Sequence, residues 1–573
     1  MVQSSRRGKS KTSKKEITEN ELKIIELAKI AFNKALTEFY FPPLNDPNYV
    51  FDYTHLEGFY IDPEHRWQIT MNLANTPLFK DDDEYIDYFH IISLHEISHY
   101  QIIPYDGLIN AKLLRAAMLH VNQNFAPIIV NIFADLIIDT KLYQKYPSLI
   151  KWEMEVTYKH LKSKGSISNL TKFLFRAYEK LWKEDVLNDE SLTEMDTLAE
   201  KVTKMILKDF ENESTWEKKV SLIAKYLNNL IQETFTLIGT GVKLNKNKER
   251  RKGPSGVFIE VPKDVLEVMD NPLENKNADK LKEGNEDDLR QKSEEFAKDI
   301  QYSEFGGPAR QAGILIDGNA LATWYRGSAK NLIEIKIFEE KRGGQLPVYP
   351  EMWRIGDRIE ELDVVQSLLN SPVMIPNITT RKWVFREGTG HLVEKQIPDL
   401  LVVLDSSGSM GWNYTSRSTR GKGPYHTALI AAFASLHFAA SKGAKFSIIN
   451  FSNRADICQW TSDYKKAEQT LLRYQGGGTF LPIKQIANQC GKADRNVLVF
   501  IITDFGIYNW SKAKKVMIDL AQKGHKIVGF FIGSKKIPID KFKNLLDKVT
   551  FYGIGNPKDL INLVIQEVKK NYL

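Results

Sequence analysis

From about Glu19 to Gln232, apolar residues recur at three- and four-residue spacing with few glycines between them, a period that predicts a series of helices. The stretch Arg66 to Ala74 (RWQITMNLA) breaks that period and reads as a strand, expected to serve as an edge for an extended peptide. Between Val242 and Ile300 the text turns polar and charged, with KNKERRKGPSG and then ENKNADKLKEGNEDDLRQKSEE, so residues 241–300 are expected to form a charged linker. Residues 301–395 read as a connecting region. Only Leu332 to Phe338 is strand-like there, and Trp353, Gly356 and Asp357 bring no assignable chemistry. Over 396–573 the pattern changes again. Continuous apolar runs at Leu400–Leu404, Phe446–Asn450, Val497–Thr503 and Ile527–Ile532 predict strands, with helices near 427–442, 463–473, 482–490, 510–523, 538–547 and 557–570. Apolar strands separated by helices predict a parallel sheet covered on both faces, whose ligands bind beyond the carboxyl ends of its strands.

At 573 residues the chain is too long for one core, and the pattern resolves it into a multidomain protein. A mainly α N-terminal domain is expected over 19–240 and a C-terminal α/β, doubly wound (Rossmann-like) domain over 396–573. Hydrophobic content of 42% and charged content of 26% fit soluble globular protein, and no apolar run approaches the ~18 residues a membrane helix needs. The N-terminus carries no apolar core of a secretory signal. Two cysteines, Cys458 and Cys490, are too few for a disulfide framework, so a reducing, cytoplasmic setting is expected. The net charge of +7 invites a nucleic-acid reading, but Arg6, Arg7, Lys9, Lys11, Lys14 and Lys15 all precede the first acid, Glu16, and leave the rest near neutral. Residues 1–18 therefore read as a disordered basic tail, and nucleic acid is not the expected partner.

The chemistry begins at His95-Glu96-Ile97-Ser98-His99. Residues four apart share a helix face, so His95 and His99 can turn both imidazoles to one metal ion. Glu96, one step round, can take a proton from a metal-bound water without binding the metal. With 11 His in the chain, a chance match is expected in roughly 1 to 2 per cent of such chains, so the pentad needs its missing partners. A catalytic zinc takes three protein ligands and a water. The helix predicted around APIIVNIFADLIIDTKL is apolar nearly all round, yet Asn131, Asp135 and Asp139 form one polar stripe down it. Unpaired buried carboxylates cost several kcal/mol, so the stripe needs a cation or donors facing it. Asp135 is the expected third zinc ligand, with Asp139 one turn on orienting a histidine N–H. The alternatives are an ion pair with a buried Arg or Lys, hydrogen-bonded caps, or His120 as a rival ligand. His90 falls off the face of His95 and reads as core.

A second metal site is expected at the carboxyl end of the C-terminal sheet. The strand Leu400–Leu404 runs into Asp405-Ser406-Ser407-Gly408-Ser409, where alternate residues can present one carboxylate and two hydroxyls to one point. Gln475-Gly476-Gly477-Gly478-Thr479 delivers another hydroxyl, and the strand Val497–Thr503 ends in Asp504. This oxygen-only set suits Mg²⁺, with Mn²⁺ or Ca²⁺ as substitutes. The Asp-x-Ser-x-Ser loop, the Thr after glycines and the strand-ending Asp resemble the von Willebrand factor A (VWA) domain and its metal-ion-dependent adhesion site (MIDAS), over roughly 396–573. The resemblance implies that Asp405, Ser407, Ser409, Thr479 and Asp504 hold the ion and that a partner's acidic residue completes its coordination. Phe480 departs from the pattern, standing where the family often has a polar residue.

Known zinc-peptidase subclasses fit less closely. A metzincin needs Gly and His at positions 102 and 105, where Ile102 and Tyr105 stand; a gluzincin has Glu and then Asp at the spacing that Asp135 and Asp139 take. The two ends together resemble the predicted metal-dependent peptidases that join a zincin-like His-Glu-x-x-His (HExxH) domain to a C-terminal VWA-like domain, with an Asn-x-x-x-Asp pattern matched by Asn131 and Asp135. That kinship implies a MoxR-type AAA ATPase as partner. No Gly-x-x-x-x-Gly-Lys-Ser/Thr loop occurs in the chain, so the ATPase is expected to be a separate protein. The expected function is zinc-dependent peptide hydrolysis by a metallopeptidase, with Glu96 as general base, Tyr158 or His120 as candidate oxyanion-stabilising groups, and Mg²⁺-dependent recruitment of a protein partner. The alternative is a non-catalytic adaptor in an AAA ATPase complex, its zinc structural or absent.

Overall fold

The computed structural model describes residues 18–39, 44–53, 59–62, 68–238, 246–253, 256–269, 286–298, 300–315, 319–338, 346–386, 397–412, 423–504, 506–533, 548–555 and 557–572. They divide into two compact units, Met1–Gly327 and Ser328–Leu573. All but Thr18 of the predicted basic tail, and the helix predicted near 538–547, lie outside the described residues.

The first unit is mainly helical. Helix α1 (Glu19–Glu38) opens on a capping box between Thr18 and Glu21, and its buried face, including Leu27, Ala31, Phe32 and Ala35, keeps the spacing seen in the sequence. Strands β1 (Asn48–Val50), β2 (Phe59–Asp62) and β3 (Gln68–Asn72) follow. Then come α2 (Asp82–Gln101), α3 (Gly107–Met118), α4 (Ala126–Lys145), α5 (Pro147–Lys164), α6 (Asn169–Trp182), α7 (Asp196–Leu207) and α8 (Trp216–Thr234). Helix α2 starts where Asp81 accepts the Glu84 N–H, and Asp82, Asp83 and Glu84 complement the positive end of its dipole. Helix α4 is buried on nearly every side, through Ile128, Ile129, Ile132, Phe133, Leu136 and Ile137, and packs against α2, α5 and α6. A helix so placed must satisfy its polar side chains inside the protein, which sets up the site below.

Three expectations are corrected here. Strand β3 forms as read, but it is the middle strand of the order β1-β3-β2, paired on both sides, so it offers no free edge to a peptide. The expected linker at 241–300 carries folded elements: β5 (Lys248–Lys252), β6 (Phe258–Pro262) and α9 (Lys263–Val268), with β6 paired between β5 and the preceding strand β4 (Thr236–Ile238). Its charges hide an alternating pattern, since Ile259 and Val261 are buried while the Arg250 guanidinium lies 3.6 Å from the centre of the Phe258 ring and Lys248 lies 3.6 Å from Glu260. The strand-like run at Leu332–Phe338 is the end of a helix, Ala320–Phe338, because the buried Leu321, Trp324, Tyr325 and Ala329 before it already hold helical spacing. The start of the expected connecting region also belongs to the first unit: Glu304 pairs with Arg115 at 2.9 Å, and Gln311 donates to the Gln123 carbonyl at 2.9 Å.

The second unit is built on a six-stranded sheet. Its strands are β9 (Asp399–Asp405), β10 (Phe446–Phe451), β11 (Ala455–Thr461), β12 (Val497–Thr503), β13 (Lys526–Ile532) and β14 (Val549–Ile554), in the order β11-β10-β9-β12-β13-β14. All neighbours pair in parallel except β10 and β11. Every residue of β9, β10 and β12 is buried, as apolar runs covered on both faces require. The four predicted strands are present; β11 and β14 were not anticipated. From β9 the chain first builds outward through β10 and later returns to lay β12 on the other flank, so the strand order reverses between β9 and β12. A second small sheet pairs β7 (Leu346–Met352) with β8 (Arg381–Arg386). Gly529 of β13 faces the Phe551 ring closely enough that a Cβ would sit 2.5 Å from its Cδ1. Gly529→Ala is therefore expected to destabilise this unit by about 1–3 kcal/mol, measured as a lower urea midpoint.

Candidate metal centres

Helices α2 and α4 bring three side chains to one point. Asp135 Oδ1 lies 3.3 Å from His99 Nε2 and 3.7 Å from His95 Nε2, and the two imidazole nitrogens are 3.1 Å apart. The opposite ring nitrogens are engaged. His95 Nδ1 lies 2.6 Å from Asp139 Oδ1, and His99 Nδ1 lies 3.2 Å from the Ile103 carbonyl. An acceptor at each Nδ1 keeps the proton there and turns the Nε2 lone pair of a neutral ring inward. Asn131 Nδ2 donates to Asp135 Oδ2 at 3.2 Å, while the buried Oδ1 makes no well-aligned hydrogen bond. This set can hold a metal ion. Tetrahedral zinc at its usual bond lengths keeps ligand atoms about 3.3 Å apart, close to the separations found.

The two carboxylates favour positive charge on the imidazole between them, that of His95. Burial disfavours charge on His95, but the carboxylates of Asp139 and Asp135 outweigh it and hold the imidazole well above its ordinary value. Burial also acts to raise Asp135, and the two imidazoles overcome it, leaving the carboxyl below its usual range. A proton and a metal ion therefore compete for the same His95 nitrogen.

Glu96 is buried and lines a cavity of about 140 Å³ together with His95 and Asp139. Two groups of that cavity escaped the sequence reading. Glu153 of α5 is pushed up to about 7 by burial, and Tyr178 of α6 is held well above its ordinary value by burial and by Asp139. Neither belongs to a motif or a polar stripe. The remaining candidates lie elsewhere: the Tyr158 hydroxyl donates to Asp189, His120 is exposed beyond the end of α3, and neither lines the cavity. His90 is a buried residue whose Nε2 lies 2.9 Å from Glu38 Oε1.

The second cluster sits at the carboxyl ends of β9 and β12, where the strand order reverses and doubly wound sheets bind their ligands. Asp405 is fully buried; its Oδ1 accepts the Ser407 N–H at 2.8 Å and its Oδ2 the Thr503 hydroxyl at 2.6 Å. The hydroxyl oxygens of Ser407 and Ser409 are 3.2 Å apart. A Cβ on Gly506 would lie 3.7 Å from Asp504 Oδ1 and 3.8 Å from Thr479 Oγ1, so both side chains border one small space. Gly476 N–H bonds the Ser406 carbonyl and Gly408 N–H the Gly477 carbonyl, each at 2.8 Å, which ties the two loops together. Gly476 and Gly477 adopt φ of 70° and 90°, a region open to glycine, and a Cβ on Gly477 would press on Asn453 at 3.0 Å. Burial raises Asp405 to about 6 against its hydrogen bonds from Thr503 and Ser407, and Asp504 adds to the rise. Two carboxylates and three hydroxyls gathered at this end of the sheet, from the buried Asp405 to the exposed Ser409, are the donor types a hard divalent cation takes. Thr503, which braces Asp405, was not singled out in the sequence.

Sheet order and strand-end aspartates define the second unit as a doubly wound α/β domain with an oxygen-lined site at its topological switch point. No family model matches the chain, and no curated protein matches it. Among solved structures it is similar to a von Willebrand factor type A protein from Catenulispora acidiphila, with 16% identity over 34% of this chain and 44% of that one and a TM-score of 0.24. It is also similar to an aerotolerance-related membrane protein from Bacteroides fragilis, with 18% identity over 30% of this chain and 99% of that one and a TM-score of 0.22. BatB from Bacteroides thetaiotaomicron gives 16% identity over 30% and 98%, with a TM-score of 0.22. The chain spans under half the length of the first of these.

Zinc entering the first cluster must displace the proton that Asp139 and Asp135 favour on His95. Zn²⁺ binding is therefore expected to release protons and to tighten as pH rises through and beyond the usual histidine range, which calorimetry in buffers of different ionisation enthalpy will measure. At the second cluster, burial raises Asp405 to about 6, so any affinity of this cluster for Mg²⁺ is expected to fall as pH drops through about 6, measured by calorimetry.

Proposed function

We propose that the first unit is a zinc peptide hydrolase using His95, His99 and Asp135 as ligands. We propose further that the second unit is a von Willebrand A-type domain recruiting a protein partner through Mg²⁺ (or Mn²⁺/Ca²⁺). The observation that carries the hydrolase reading is the buried Asp135 Oδ1 facing two Nε2 atoms, with Glu96 beside them on the wall of a cavity. A zinc ion bound there supplies Lewis acidity, bringing the pKa of a water to about 7. Asp139 and the Ile103 carbonyl hold the two rings with Nε2 inward, so neither imidazole has to reorient. Glu96 accepts the proton released as water attacks the peptide carbonyl and passes it to the leaving amine.

In the second unit, Asp405, Ser407, Ser409, Thr479 and Asp504 would hold the cation, and an acidic side chain of a partner would complete its coordination. A separate AAA ATPase of MoxR type is the partner this reading favours. One observation favours the alternative, a non-catalytic adaptor. Between Ile355 and Ile378 the second unit exposes an unusual density of apolar side chains, among them Ile355, Ile359, Val365 and Leu369, each about 70% or more exposed.

Metal content and kinetics separate the two. Glu96→Gln is expected to keep stoichiometric zinc while lowering kcat/KM for a peptide by about 10²-fold or more. Unchanged turnover in that variant overturns the hydrolase and leaves the adaptor. Asp405→Ala is expected to abolish calorimetric Mg²⁺ binding while sparing cleavage of a small peptide.

A further inference from the structure

The cavity that Glu96 and His95 border continues between α2, α5 and α6. Buried apolar residues line it there, Ile91 of α2, Ile150 and Met154 of α5 and Phe175 of α6, beside the polar Thr157 and His160 of α5. Glu96, Asp139, Glu153 and Glu267 all line the cavity, and Glu153 lies between Ile150 and Met154 on the same helix. Glu153 of α5 receives a hydrogen bond from the Thr157 hydroxyl one turn on, at 2.6 Å, and among the described residues no Lys or Arg pairs with it. The positive group that acts on it is His95, and the charge of Asp139 works in the opposite direction. Glu267, which also lines the cavity, is already paired with Lys164 at 3.2 Å, so its charge is answered from within the protein.

A carboxylate on an apolar wall without a cation costs several kcal/mol, where a Gln or Met of similar size would cost far less. The cost is recovered when a cation enters with its own apolar stem. The volume of about 140 Å³ is many times the ~10–15 Å³ that one water requires, so the space admits a long side chain.

We propose that this cavity is the subsite for a lysine or arginine side chain of the peptide substrate. Its methylenes pack on Ile91, Ile150, Met154 and Phe175, and its cationic head pairs with Glu153. The position beside the scissile bond rests on the hydrolase reading above; recognition of the basic side chain is a property of the cavity alone. A neutral chain of equal length fills the same walls and leaves Glu153 unpaired, so discrimination comes from the head group.

The test uses the full-length protein at pH 8, where the carboxyl is ionised, with and without added zinc. N-acetyl-lysine methylamide, the norleucine analogue and the glutamate analogue are titrated by ligand-observed NMR. The lysine compound is expected to bind at least tenfold more tightly than the norleucine compound, and the glutamate compound not at all. Glu153→Gln is expected to erase the lysine advantage while leaving norleucine affinity within twofold; Glu267→Gln is expected to keep it. In digests of a mixed peptide library, cleavage sites are expected to cluster beside Lys and Arg, and to lose that clustering in Glu153→Gln. Equal or tighter norleucine binding by the unmutated protein, or a lysine advantage that survives Glu153→Gln, overturns the proposal. Lysine binding without Glu96-dependent cleavage sinks the hydrolase and keeps the cation subsite; zinc-dependent cleavage without basic selectivity does the reverse.

Discussion

A carboxylate buried in the centre of a helical body has to be answered by positive charge, and in this protein that demand falls on Asp135. Helix α4 is enclosed on nearly all sides, so the oxygen that Asn131 does not serve has nowhere to turn except toward the two imidazoles of α2. The rings in turn are anchored from behind by Asp139 and by the Ile103 carbonyl. The geometry is thus braced on both sides, and the placing of α2 against α4 is inseparable from it. Removing any one partner leaves another buried polar group stranded, the costliest kind of defect in a protein interior.

The two clusters differ in donor chemistry. Imidazole nitrogens with one carboxylate favour zinc and its neighbours, whereas hydroxyls with carboxylates favour hard ions such as Mg²⁺. Each cluster also sits where its architecture puts functional groups. The first spans two packed helices, and the second occupies the reversal point of a doubly wound sheet.

What could be read in the sequence was whatever local periodicity carries. The pentad and the Asn131-Asp135-Asp139 stripe share the four-residue spacing that puts side chains on one helix face, and two such faces meet in the structure. Four strands of the main sheet were legible because burial on both faces leaves continuous apolar runs. What escaped depends on contacts distant in sequence. The charged stretch around Lys248–Lys252 folds because β6 supplies Phe258 and Glu260 across the sheet, a pairing no local pattern records. The run at Leu332–Phe338 is β-branched yet continues a helix fixed upstream, tertiary context overriding propensity. The middle position of β3 depends on β1 and β2, which are too short to announce themselves. Glu153 carries no local signal in the sequence, and only the packing of α5 and α6 around it makes its charge costly.

The two hydrogen bonds that join the Ser406–Gly408 turn to the Gly476–Gly477 turn carry a kinetic meaning. Loops already stitched together have little freedom left to surrender when something docks, so encounter there resembles a plug meeting a rigid socket. Loops that need no rearrangement favour fast association over slow induced fitting.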